Sequence, residues 1–193
     1  MANGKHKGAL GAVYGAKSAT EVAALYDGWA ETYDSEMAAA GYRHPSICLA
    51  LLSRSIQAGE GPILDAGAGT GVLGPWLGIM GFFPVEALDI SAGMLAVAAK
   101  RGGYAKLHNL ALGEPLPFAD GHFAGIVSAG VFTTGHVGSE GLDELVRICR
   151  PGGAIVLTIK NTLWEETFKQ RIQALAEHGI VALAEQTAPY VYL

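Results

Sequence analysis

The chain has 193 residues, half of them hydrophobic and 16% charged, which fits one globular domain with a proper core and excludes a disordered polymer. Its formal net charge is −5, with Lys and Arg scattered among more numerous acids, so no basic stripe able to displace counterions from DNA or structured RNA is expected. No apolar run reaches the roughly 18 residues of a membrane span, and Cys48 and Cys149, far apart in apolar helical stretches, read as buried reduced thiols without metal-ligand spacing.

Residues 1–17 read as a mobile start. Lys5 and Lys7 followed by a Gly/Ala-rich stretch loosely imitate a signal peptide, but the middle lacks Leu, Ile and Phe, and a cytoplasmic location is the expectation. Residues 18–58 are helical, opening on Ser18-Ala19-Thr20-Glu21 as a capping box, with a break near Gly41 and a second start at Pro45. Residues 61–160 then alternate. Ile63-Leu64 is a short strand, 71–80 a helix, 85–90 a strand, and Ser91 caps a helix over 92–101. Residues 104–110 and 125–128 are strands, 142–149 a helix stopped by Pro151-Gly152-Gly153, 154–159 a strand, 164–178 a helix and 180–185 a last strand. Such alternation predicts a single α/β domain, with a mostly parallel sheet, helices on both faces, and ligands at the carboxyl ends of the strands where strand order reverses.

Asp65-Ala66-Gly67-Ala68-Gly69-Thr70-Gly71 carries the strongest chemistry. A strand enters a turn nearly free of side chains, and the following helix offers backbone N–H groups and its positive dipole end to a ligand. Asp89 ends the next strand, where its carboxylate can accept from both hydroxyls of a ribose. Gly69-Thr70-Gly71-Val72-Leu73-Gly74 also fits the dinucleotide fingerprint with Asp89 downstream, so a nicotinamide-dependent oxidoreductase is a rival. Against it, Asp65 would oppose a pyrophosphate but suit an amino acid's ammonium, and a helical segment precedes the first strand.

With these motifs on the page, the stretch from Tyr26 to Lys160 resembles the class I S-adenosylmethionine-dependent methyltransferases. Leu64 to Gly71 is similar to their first cofactor motif and Leu88 to Leu95 to their second; Pro115-Leu116-Pro117-Phe118 and Arg150-Pro151-Gly152-Gly153 fall where the family has its later motifs. Tyr26-Asp27-Gly28-Trp29 with Tyr33-Asp34 is similar to the small methyltransferase-like group that includes a Williams–Beuren deletion-region protein. The resemblance implies a Rossmann-like methyltransferase sandwich and S-adenosylmethionine, with Asp89 on the ribose and Ile90 and Met94 on the adenine. Gly67, Ala68, Gly69, Gly71 and Asp65 would lie along the cofactor, with Ala129 and Gly130 giving carbonyls to its methionine end. Relatives carry an acid at the position of Ala111; here backbone groups of Ala111 and Leu112 would meet the adenine, and the usual Phe-Asp pair reads Phe123-Ala124.

A sulfonium donor needs an acceptor held in line more than it needs a base. His136, in a loop at the expected mouth, is the candidate base, the alternative being an ordinary loop histidine. Phe132, Lys160, Asn161 and Trp164 are candidate contacts for a small-molecule substrate, and no metal is expected. Tyr26 and Tyr33 are read as lid residues over the cofactor and Trp29 as core. After 180–185 only a short segment broken by Pro189 remains, so the family's last strand is short or missing; a truncated chain or a homo-oligomer covering the sheet edge would account for it. A binding protein without catalysis is the third reading.

Overall fold

A computed structural model describes residues 8–191. Four helices lead the chain: α1 (Ala9–Tyr14), α2 (Ala19–Trp29), α3 (Tyr33–Ala39) and α4 (His44–Ser55). Within the start expected to be mobile, α1 is a formed helix whose Val13 is fully buried against Trp29 and Met37; residues 1–7 lie outside the described residues. Ser18 caps α2 by accepting from the Glu21 N–H at 3.2 Å, while the Glu21 carboxylate takes the Lys17 N–H at 2.9 Å instead of that of the cap residue. The helical segment breaks twice, at residues 30–32 as well as near Gly41, so Tyr33 opens a helix of its own.

The sheet follows as β1 (Ile63–Ala66), α5 (Leu73–Ile79), β2 (Val85–Asp89), α6 (Ala92–Arg101), β3 (Lys106–Asn109), β4 (Phe123–Phe132), α7 (Gly141–Ile148) and β5 (Cys149–Ile159). Its five strands are all parallel in the order β3-β2-β1-β4-β5, so connectivity reverses between β1 and β4. Alternate residues of β1 serve opposite faces. Leu64 packs with Leu145 and Ile148 of α7 and with Phe168, and Ile63 packs with Leu52 of α4, Ile56 just beyond it and Leu77 of α5. Both faces of β1 and β2 are covered, so every residue of the two strands is buried, including the acids Asp65, Glu86 and Asp89.

Three expectations are corrected. Pro151-Gly152-Gly153 lies inside β5 instead of before it, because the strand starts at Cys149 and a register shift against β4 absorbs the glycines. Cys149 is therefore a partly buried strand residue at the end of α7 and not a helical one; Cys48 is buried on α4, where desolvation pushes its thiol up to about 12. Residues 180–185 form no strand. After α8 (Asn161–Leu163), a π-helical turn (Trp164–Phe168) and α9 (Lys169–Glu177), Gly179 adopts φ 68° and residues 180–191 carry no regular structure. Their side-chain polar ties run to α4, through the Arg54–Glu185 ion pair at 2.8 Å and the His44–Tyr190 hydrogen bond at 2.6 Å, while Val181 packs on the core around Phe168.

Candidate functional site

At the carboxyl ends of β1, β2 and β4 a cavity of about 480 Å³ opens, within the range of small-molecule sites. Gly67 and Gly69 form its floor, Asp89 and Ile90 one wall, and Met94, Leu110, Ala111 and Leu112 a flat apolar slot. Ala129, Gly130, Tyr26, Tyr33 and His136 close the other end. Most of the predicted cofactor residues thus converge on one space.

Three do not line it: Asp65, Ala68 and Gly71. The buried Asp65 carboxylate accepts from the Tyr104 hydroxyl at 2.6 Å, and that hydroxyl accepts from the Gly74 N–H at 3.0 Å. Burial pushes Asp65 up to about 7, against the pull of the Tyr104 hydrogen bond. Gly71 is a packing glycine, since a Cβ there would stand 2.8 Å from that of Ala98 and 2.9 Å from the Tyr104 ring. The amides of Gly67 and Ala68 are donated to the Leu88 carbonyl, that of Gly69 to Asp89 and that of Gly71 to Ala68. These four amides of the turn are already spent, which suits a ligand laid across glycine surface and disfavours a pyrophosphate needing donors.

Asp89 is held from both sides. One oxygen accepts from the Gly69 N–H at 2.8 Å and the other from the Ser91 N–H at 2.8 Å; burial nonetheless pushes its carboxyl above the usual range. The Ile90 N–H adds to these, and the carboxylate still keeps acceptor capacity for a ribose hydroxyl. Ser91 caps α6 by accepting from the Met94 N–H at 3.0 Å, which fixes the buried Met94 one turn beyond the ribose acid. An adenosine with a short polar tail fits this lining: a diol acceptor, an apolar slot and a Gly69 with nothing within 4 Å of where a Cβ would stand.

The helices ahead of the sheet are stapled to this floor by two acids that the sequence reading passed over. Asp27 accepts from the Ser91 hydroxyl at 2.6 Å and the Gly93 N–H at 2.8 Å, and those bonds hold its carboxyl below the usual range. Asp34 accepts from the Thr70 hydroxyl at 2.5 Å and pairs with Arg101. Both acids lie in the aromatic motif, and their spacing to the partners, 64 and 36 residues, leaves no local signal. Trp29 is buried core, as expected, with its indole N–H unpaired, and stacks on Tyr26 at 6.0 Å.

His136 Nε2 faces the Tyr26 hydroxyl at 3.0 Å and Nδ1 the Thr134 carbonyl at 3.3 Å. A carbonyl only accepts, so the proton sits on Nδ1 and Tyr26 donates to Nε2. Burial lowers the imidazole's pKa and keeps it neutral near pH 7. Phe132, Lys160, Asn161 and Trp164, the predicted substrate contacts, line a second cavity of about 430 Å³ that shares Tyr26, Tyr33 and Gly130 with the first. Tyr42, not foreseen, donates to the Ala129 carbonyl at 3.3 Å at this junction.

A parallel sheet with a ligand-sized cavity at its switch point defines a Rossmann-like fold. The family described as "Methyltransferase domain" is matched over residues 64–157. Similarity extends to a demethylmenaquinone methyltransferase of Mycolicibacterium vanbaalenii, 31% identical over 92% of this chain and 78% of that protein. Methyltransferase-like protein 27 of Homo sapiens is 33% identical over 78% of this chain, which spans 62% of its length. Among solved structures, a putative S-adenosyl-L-methionine-dependent methyltransferase of Methanococcus maripaludis superposes with TM-score 0.52 at 22% identity, over 85% of this chain and 76% of that one, a likeness of fold. The chain belongs to the class I S-adenosylmethionine-dependent methyltransferase family. Among the described residues there is no helix long and apolar enough to cross a membrane and no cluster of potential metal ligands.

Proposed function

We propose that the chain binds S-adenosylmethionine in the first cavity and methylates a small molecule seated in the second. The observation that carries this reading is the meeting of the two cavities at Tyr26, Tyr33 and Gly130. When bound, the cofactor supplies an activated methyl group, whose bond to sulfur breaks with the electron pair returning to sulfur as the acceptor's lone pair takes the carbon. Asp89 holds the ribose, Ile90 and Met94 flank the adenine, Ala111 and Leu112 meet its edge through backbone groups, and Ala129 and Gly130 border the methionine end.

The protein's own task is alignment and dryness, and positioning of this kind can supply several kcal/mol, up to about 7–11. Where the acceptor atom carries a proton, Tyr26 takes it while passing its own hydroxyl proton to Nε2 of His136, which leaves an imidazolium and no net change on Tyr26. His136 therefore acts behind Tyr26, and the aromatic faces of Tyr26 and Tyr33 border the sulfonium's path. A small-molecule acceptor is supported by the size of the second cavity and by the demethylmenaquinone relative's name.

Calorimetry with S-adenosylmethionine, S-adenosylhomocysteine and NADH tests the first half: the two sulfur compounds bind and NADH does not. Tight NADH binding without either sulfur compound would overturn it. Labelled methyl donor incubated with a metabolite extract tests the second half, with label transferred to a small product as the expected result. Tight cofactor binding without any transfer would instead establish a binding protein.

A further inference from the structure

The second cavity is apolar along most of its wall, where Met37, Ile47, Phe132, Leu157, Trp164 and Ile172 contribute. Its charged and titratable border is short: Lys160, Glu185 and His44, besides tyrosine hydroxyls. Glu185 is neutralised by Arg54 at 2.8 Å, and burial lowers His44 to about 4, so it is uncharged near neutral pH. Lys160 is the cation that remains. It is exposed at the junction of β5 and α8, gives one N–H to the Thr134 hydroxyl at 2.7 Å, and sits 5.5 Å from the centre of the Tyr14 ring. Among the described residues no carboxylate pairs with it. An ammonium has three N–H donors, so Lys160 keeps donor capacity toward the cavity mouth.

Resting on the reading of this cavity as the acceptor site, we infer that the acceptor is an amphipathic small molecule whose apolar body fills the cavity and whose anionic oxygen pairs with Lys160. An apolar wall takes its affinity from surface removed from water and rejects a second charge, whereas a half-solvated ammonium at the rim binds an anion without the cost of burying an ion pair. Cationic and sugar-like acceptors are disfavoured on both counts.

Two fluorescent probes with one skeleton test this: 8-anilinonaphthalene-1-sulfonate, which carries an anionic oxygen cluster, and N-phenyl-1-naphthylamine, which lacks it. The sulfonate is expected to bind the full chain at one site about tenfold more tightly than the neutral probe, the ratio a charge-assisted hydrogen bond provides. Lys160→Met should abolish the difference by weakening the sulfonate alone, with the neutral probe showing that the cavity is intact. Lys169→Met, at a nearby exposed lysine paired with Glu165, should change neither probe. Equal affinities in the unaltered chain, an unchanged sulfonate affinity in Lys160→Met, or the same loss in Lys169→Met would each overturn the inference. Calorimetry with S-adenosylhomocysteine on the same samples judges the cofactor reading separately, since that ligand occupies the other cavity.

Discussion

Gly67 sits at the exit of β1 with φ 80°, and a Cβ built on it would stand 2.1 Å from Cγ2 of Val131. Gly67→Ala therefore carries two independent costs. Left-handed backbone at a residue with a Cβ costs about 1–2 kcal/mol. Forcing a methyl into a β-branched neighbour that has little χ1 freedom adds about 1–3 kcal/mol. The sum, about 2–5 kcal/mol, is a large part of a domain's stability and corresponds to about 4–20 °C in Tm at this chain length. Urea denaturation of the purified chain, followed by circular dichroism, reads it directly. The paired variant Gly67→Ala/Val131→Ala separates the terms, because it removes the clash and leaves the backbone strain. A coupling of about 1–3 kcal/mol between the two substitutions is expected. A Gly67→Ala chain within about 0.5 kcal/mol of the parent would refute the account of this turn.

Asp89→Asn keeps the shape but loses an acceptor oxygen, and its amide opposes the Gly69 or Ser91 N–H; S-adenosylhomocysteine affinity should fall at least about tenfold by calorimetry. Asp65, raised from its ordinary value to about 7, binds a proton more tightly folded than unfolded, so its cost to stability grows as pH climbs from about 4 to 7. Asp65→Asn, which can still accept from Tyr104, should gain stability relative to the parent at pH 8 and little at pH 4; equal gains at both would contradict this. His44, lowered to about 4, behaves oppositely: the folded state loses stability as pH falls from about 6.5 toward 4, and His44→Asn should flatten that slope of Tm against pH. Arg147 ties α7 to the loop before β4, donating to the Leu116 and Phe118 carbonyls at 2.9 and 2.8 Å and pairing with Glu144, whose carboxyl it holds down at about 2. Arg147→Met should remove the donor to those carbonyls and lower the urea midpoint of unfolding.

Much of the cofactor half was legible because it is written in short-range chemistry. Ser18 and Ser91 cap their helices as the adjacent residues require, and the glycine turn with Asp89 falls within one strand-turn-helix-strand unit. The alternation of elements predicts a parallel sheet with helices on both faces, and that is the arrangement observed.

What the tertiary structure decided is where side chains of distant segments meet. Asp65 was read toward the ligand, yet its hydrogen-bond partner is Tyr104, 39 residues on, and it does not line the first cavity. Asp27 and Asp34 received no role from the sequence, and only the fold brings Ser91, Gly93, Thr70 and Arg101 within their reach. Residues 180–185 have the composition of a strand, but with ion-pair and hydrogen-bond partners on α4 they take no place in the sheet. The second cavity is the clearest case, walled by residues from Leu10 to Tyr190. A motif is a local agreement between backbone and side chain and can be read along the chain; a cavity is the space left between elements that pack for other reasons, and no single segment encodes it.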